Sequence, residues 1–147
     1  MEIDPSAPAI AHGETFIEAR PEAVFAVIAA IDDWPRWNTD VKSVELDGRV
    51  VPGTTFRWRT GSISIASELA VVDPPREIGW TGSTMGIRAA HVFRFEARDG
   101  GTLVRSEESW EGCIPSLLKG YSRRTLEKAV TTVLADLKAA AERKAPA

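Results

Sequence analysis

The spacing of apolar residues along this chain changes period several times, and each change marks a different element. Residues 9–19, AIAHGETFIEA, read as a strand whose strongest β formers are Phe16 and Ile17. From Pro21 onward, Val24, Phe25, Val27, Ile28 and Ile31 recur at helical spacing. Proline suits the first turn of a helix and Glu22 favours its positive end, so a helix ending near Ile31 is predicted. After Val41 the period falls to two. Alternating runs at 41–46, 54–60, 62–72, 77–82, 87–98 and 102–110 are separated by Asp47-Gly48, Gly61-Ser62, Asp73-Pro74-Pro75, a Ser-Thr-Met-Gly stretch and an Asp-Gly-Gly turn. Short turn signals between alternating runs predict antiparallel strands joined as a meander. Roughly from 114 to 143 the period returns to helical. A single long helix is predicted there, with Leu126, Val130, Val133, Leu134 and Leu137 in one stripe and Lys138, Arg143 and Lys144 at its negative end.

The fold class that follows is α+β: one strand, two short helices, six strands and one long amphipathic helix. A curved antiparallel sheet with the long helix against its concave face buries both apolar surfaces most economically. Residues 1–8 hold two prolines and little apolar content and are expected to form a flexible tail, leaving 9–144 as a single domain.

Period two also sorts each strand by face. The inward set contains Phe56 and Trp58; Ile63, Ile65, Ser67, Leu69 and Val71; Ile78, Trp80 and Gly82; Ile87, Ala89, His91, Phe93 and Phe95; and Thr102, Val104, Ser106, Glu108 and Trp110. Three polar residues, His91, Ser106 and Glu108, intrude on it. A turn at Asp99-Gly100 sets His91 across from Glu108 and Phe93 across from Ser106, whereas a turn at Gly100-Gly101 sets His91 across from Trp110 and Phe93 across from Glu108. Either way the polar trio shares one face. A buried histidine and glutamate need partners, so they satisfy each other, contact a ligand's hydroxyl or carbonyl, or act as an acid/base pair. The catalytic option requires an imidazole that reaches open cavity volume.

Composition narrows the field. At 44% hydrophobic and 27% charged residues, the chain is ordinary for a globular protein. A net charge of −3, with basic and acidic residues spread along the chain, speaks against a nucleic-acid groove or an anionic membrane surface. No apolar run reaches a membrane span and no signal-peptide pattern opens the chain; with the lone Cys113, this suggests a cytoplasmic location. Two histidines and one cysteine at no metal-ligand spacing, and no phosphate loop or nucleophile elbow, give no reason to expect a metal or a cofactor. Near the start of the long helix, KGYSRR brings Tyr121 and Arg123 into consideration as contacts for a ligand hydroxyl or carboxylate; the alternative is an ordinary solvated helix end.

The run FIEARPEAVFAVIAAIDDWPRWNTDV resembles the N-terminal signature of the START-like, polyketide cyclase/dehydrase and lipid-transport (SRPBCC) superfamily. Ile17, Ala19, Pro21, Val24, Phe25, Val27, Ile28, Trp34, Pro35, Trp37 and Asn38 fall on its pattern, with Phe25 in place of a frequent tryptophan. VPGTTFRWR, VVDPPREIGWTG, HVFRF and GTLVRSEESWEG look like its strand motifs. The resemblance implies a helix-grip fold, a seven-stranded antiparallel sheet wrapped around the C-terminal helix and enclosing an apolar cavity.

The first functional expectation is binding of a small hydrophobic or aromatic molecule, lipid or polyketide-like. Its walls would be Trp34, Trp37, Phe56, Trp58, Leu69, Trp80, Phe93 and Trp110, with His91, Ser106 and Glu108 as polar contacts. The second is a cofactor-free cyclase, aromatase or dehydratase using His91 and Glu108. The third is a protein-binding module like the chaperone activators, which would need an exposed apolar patch. Trp34 and Trp37, three apart on a short helix that Pro35 starts and Asp32 or Asp33 caps, would plug the open end of the grip.

Overall fold

A computed structural model describes residues 1–144 of the chain. Seven strands form one antiparallel sheet: β1 (Ala9–Ile17), β2 (Ser43–Leu46), β3 (Thr55–Thr60), β4 (Ile63–Asp73), β5 (Glu77–Thr84), β6 (Ile87–Arg98) and β7 (Gly101–Glu111). Their spatial order is β1-β7-β6-β5-β4-β3-β2, so six successive strands form a meander and the first strand closes against the last. The expected helix-grip arrangement is present, with a long C-terminal helix on the sheet and short helices between β1 and β2.

The β6–β7 hairpin fixes which residues face each other in the middle of the sheet. Asp99 and Gly100 both have positive φ (50° and 80°), the backbone of a tight two-residue hairpin turn. Of the two turns compatible with the sequence, Asp99-Gly100 is therefore the one formed. Arg98 pairs with Gly101, His91 with Glu108 and Phe93 with Ser106.

Three expectations are corrected. Val71 does not continue the inward face of β4. Pairing steps from Leu69–Trp80 to Val71–Gly79, so one extra residue in β4 reverses the alternation, and Val72, opposite Ile78, joins the core instead. The C-terminal helix is not continuous from 114. It divides into α3 (Cys113–Leu117) and α4 (Lys119–Lys144), because Leu118, at φ −121° and ψ 55°, leaves helical geometry. Residues 1–8 carry no strand or helix, yet they are not free of the domain. Ile3 is buried, Arg94 donates to the Met1 carbonyl, and Glu77 pairs with the Met1 amino group at 2.6 Å. Val71, Gly79 and Val92 make this part of the outer face apolar or bare, which explains the cover.

Between β1 and β2 the chain turns three times in short order. Helix α1 (Pro21–Ala29) ends where Ala30 leaves helical angles, a 3₁₀ turn spans Ile31–Asp33, and α2 covers Trp34–Trp37. Trp34 keeps helical angles (φ −50°, ψ −42°) although the proline after it disfavours them. Its indole is buried and donates Nε1–H to the Ile28 carbonyl at 2.9 Å, which holds it there. Neither Asp32 nor Asp33 caps α2 through its side chain; Asp33 instead lies 3.8 Å from Arg36.

Helix α4 buries Leu126, Val130, Leu134, Leu137, Ala140 and Ala141. Its tightest approach is to β1. A Cβ on Gly13 would stand 2.8 Å from Leu134 Cδ1 and 3.0 Å from Val130 Cγ1, so any side chain here would have to displace those two. Truncating the buried stripe tests how much of the fold rests on the packing of α4. Leu126→Ala should lose about 2–5 kcal/mol, read as a lower urea midpoint with an unchanged denaturant slope.

Candidate functional site

A cavity of about 440 Å³ lies between α4 and strands β3 to β7 of the sheet. All five tryptophans of the chain line it: Trp34, Trp37, Trp58, Trp80 and Trp110. Three of them cluster, with the Trp34 ring 5.0 Å from Trp80 and 6.2 Å from Trp58. The cavity is open because small side chains stand where large ones would fill it. Gly82 and Ala89 face each other across β5 and β6, and Thr125, Ala129 and Thr132 recur at helical spacing on α4. A Cβ at Gly82 would already come within 3.1 Å of Ser67 Oγ.

One line of hydrogen bonds crosses this apolar surround. His91 Nδ1 lies 2.9 Å from Glu108 Oε1, His91 Nε2 lies 2.8 Å from Ser106 Oγ, and Trp110 Nε1 donates to Glu108 Oε2 at 2.8 Å. An ionised carboxylate only accepts, so the hydrogen-bond network assigns a proton to Nδ1; in the neutral ring, Nε2 then accepts from the Ser106 hydroxyl. Burial on its own would raise the Glu108 pKa. The His91 ring beside it and the hydrogen bonds from His91 and Trp110 outweigh burial, and the net displacement is downward. Glu108 is therefore a fixed anionic acceptor in the cavity wall. Each of its oxygens accepts one of these bonds and retains lone-pair capacity.

One side of the cavity is bounded by the end of α2 and the segment after it, where Trp37, Asn38 and Asp40 contribute to the lining. Asp136 on α4 latches this segment, accepting from Thr39 N at 2.9 Å and from Thr39 Oγ1 at 2.8 Å. Among the described residues, the one buried side-chain nitrogen or oxygen without a partner is Trp37 Nε1, also in this lid. A more open groove of about 680 Å³ crosses the outer face of the sheet near Thr55, Glu68 and Arg88. Arg88 there is already paired with Glu111 at 3.2 Å, and a bonded pair leaves little to recognise a ligand.

Of the residues singled out from the sequence, Trp34, Trp37, Trp58, Trp80, His91, Glu108 and Trp110 lie together on the cavity lining. Phe56, Leu69 and Phe93 do not line it; they are fully buried behind it, with Phe93 4.5 Å from the His91 ring. Ser106, 1% exposed, reaches the cavity only through His91. Tyr121 is 63% exposed and away from the lining, and Arg123 donates to the Pro8 carbonyl at 3.3 Å. On this first turn of α4 it is Ser122, one turn before Leu126, that is buried, while Tyr121 and Arg123 on either side of it are exposed. Sequence reasoning also passed over Thr125, Lys128, Ala129 and Thr132 of α4. Their signal was present as a second row of small or polar residues beside the leucine stripe.

Residues 9–142 match the family model described as polyketide cyclase / dehydrase and lipid transport. The chain belongs to this family. No curated protein matches it. Among solved structures, the polyketide cyclase/dehydrase fold of this chain resembles TTHA0849 from Thermus thermophilus, with TM-score 0.81, 18% identity, and coverage of 93% of this chain and 99% of that one. The Zhui aromatase/cyclase from a Streptomyces species gives TM-score 0.77 at 16% identity, covering 92% and 94%. Ara h 8.0201 gives 0.76 at 14%, covering 92% and 98%. At such identities the likeness concerns the fold.

Two outcomes test this family member's site geometry. Asp136→Ala should release the lid, raising amide exchange at Thr39 roughly fivefold, about 1 kcal/mol for a solvent-accessible charged hydrogen bond. The second concerns pH. Because the folded-state pKa of Glu108 lies below the ordinary 4.5, its interactions stabilise the protein in full above that value and are lost as pH falls through the folded-state pKa. The stability of wild type relative to Glu108→Gln should therefore be constant near neutrality and shrink below pH 4.5 in acid denaturation series.

Proposed function

We propose that this protein binds a compact, largely aromatic molecule carrying a hydroxyl group, and that Glu108 receives the hydroxyl hydrogen. The observation that carries this reading is a largely buried carboxylate, Glu108, held among indole rings, aliphatic side chains and small residues, whereas the other acid of the lining, Asp40, is exposed to solvent. Small-molecule sites of about 300–1,000 Å³ combine apolar walls with a few placed polar groups in this way. The membership of the cyclase/dehydrase and lipid-transport family and the likeness to an aromatase/cyclase fold support the same ligand class.

Binding is favoured over proton transfer by His91 because both ring nitrogens are engaged, one by Glu108 and the other by Ser106. A general base needs a lone pair within reach of the proton it takes. The imidazole ring contacts the cavity, but its nitrogens serve to hold Glu108 and Ser106.

Calorimetry with a panel of hydroxylated fused-ring aromatics, their methyl ethers and the parent hydrocarbons tests the reading. Native mass spectrometry of the protein from its own host searches for a retained molecule. Hydroxylated members should bind best. Glu108→Gln should weaken them about tenfold to a hundredfold, as expected for a hydrogen bond to a charged group. Ala129→Phe, which fills the space beside α4, should remove binding of the whole panel. Absence of any bound or copurifying molecule, or binding that survives Ala129→Phe, overturns the proposal.

A further inference from the structure

Five of the eight large hydrophobic side chains that the described residues expose lie around the α3–α4 junction: Met85 (88% exposed), Leu117 (81%), Tyr121 (63%), Leu118 (53%) and Ile114 (36%). Met85 sits at the tip of the β5–β6 hairpin, and the next residue ties that tip to α3. The Ile114 amide donates to the Gly86 carbonyl at 3.2 Å, and a Cβ on Gly86 would stand 2.8 Å from the Ile114 side chain. The Leu118 amide in turn donates to the Ile114 carbonyl, and Ser122 to Leu118, which carries the apolar surface onto α4. Scattered apolar residues on a surface need no explanation, but a contiguous patch does.

The charge beside the patch runs against that of the whole chain. The protein carries −3 overall, yet residues 113–128 hold four cations, Lys119, Arg123, Arg124 and Lys128, and one acid, Glu127. All four cations are exposed. Three of them lie in the first two turns of α4, whose first turn holds no acidic residue. Cations at a helix N-terminus oppose the helix dipole, so this placement costs stability in the free protein. An anionic surface would reverse that cost.

We propose that the α3–α4 junction and the β5–β6 tip form a docking surface for an anionic lipid bilayer. Leu117, Leu118, Met85 and Tyr121 enter the headgroup boundary, and Lys119, Arg123 and Arg124 face the lipid phosphates. Peripheral binding of this kind combines apolar burial with attraction of exposed cations to anionic headgroups. It needs no spanning segment, and no helix among the described residues is long and apolar enough to cross a membrane. The patch adjoins the cavity: Thr84 and Ile87 flank the β5–β6 tip, and Thr125 and Lys128 follow the cationic turns of α4. A docked protein therefore brings these lining residues close to the lipid.

Co-sedimentation of the full chain with vesicles of phosphatidylcholine, alone or mixed with phosphatidylglycerol, tests the docking without reference to any cavity ligand. Binding should require phosphatidylglycerol and fall as salt rises. Leu117→Glu with Leu118→Glu should abolish it. Because these side chains are already exposed, thermal unfolding of that variant should match wild type. Arg124→Gln and Lys119→Gln should each weaken partitioning roughly fivefold. Three results overturn the proposal: no binding to the anionic vesicles, binding unaffected by the double glutamate variant, or a dimer in sedimentation velocity that this variant dissociates. The last would assign the patch to a second copy of the chain.

Discussion

The architecture depends on how closely α4 can approach a curved sheet. Helix and β1 meet at the distance that Gly13 permits, with Leu134 and Val130 against the bare backbone. A straight helix cannot follow a curved sheet across its whole width. Contact made at the β1 edge therefore leaves space over the strands from β3 to β7. In most cores large side chains would close that gap. Here Gly82 and Ala89 from the sheet and Thr125, Ala129 and Thr132 from the helix leave it open.

The space is not featureless. An unpaired carboxylate would be costly among indole rings, and two neighbours offset that cost, the His91 ring and the Trp110 indole N–H. His91 is itself steadied by Ser106 and by packing against Phe93 and Trp80, with ring centroids 4.5 and 5.2 Å away. Ser106 and Phe93, which do not line the cavity, thus help to position the largely buried carboxylate in its wall through His91. Removing Ser106 or Phe93 would act on the site through His91, a positioning effect and not a lost contact.

Much of this was legible in the chain. The β6–β7 register followed from an Asp-Gly turn and a two-residue period, which together set His91 opposite Glu108. The Trp-Pro-Arg-Trp stretch announced its buried tryptophans. What escaped has a common physical character. One extra residue in β4 reverses alternation beyond Leu69 without any glycine or proline to mark it. Leu118 breaks the last helix while resembling any other helix former. The N-terminal residues are polar and proline-containing, yet they cover an outer-face strip whose bareness depends on pairing across three strands. The cavity itself is made of absent side-chain volume, which a scan for conspicuous residues passes over.

Stability and function act against each other in the same few positions. Enlarging Ala89 or Ala129 would complete the core, so the open volume persists where packing alone would favour filling it. The lid shows the same tension. Trp34 is satisfied by the Ile28 carbonyl and Thr39 by Asp136, but Trp37 Nε1 is buried with no partner, a deficit of about 1–3 kcal/mol. Opening the segment would break the Asp136 latch, yet it would also let the Trp37 N–H reach water and recover part of that loss. Among the elements around the cavity, the Trp37–Asp40 segment therefore combines an exposed latch with an unpaired buried donor.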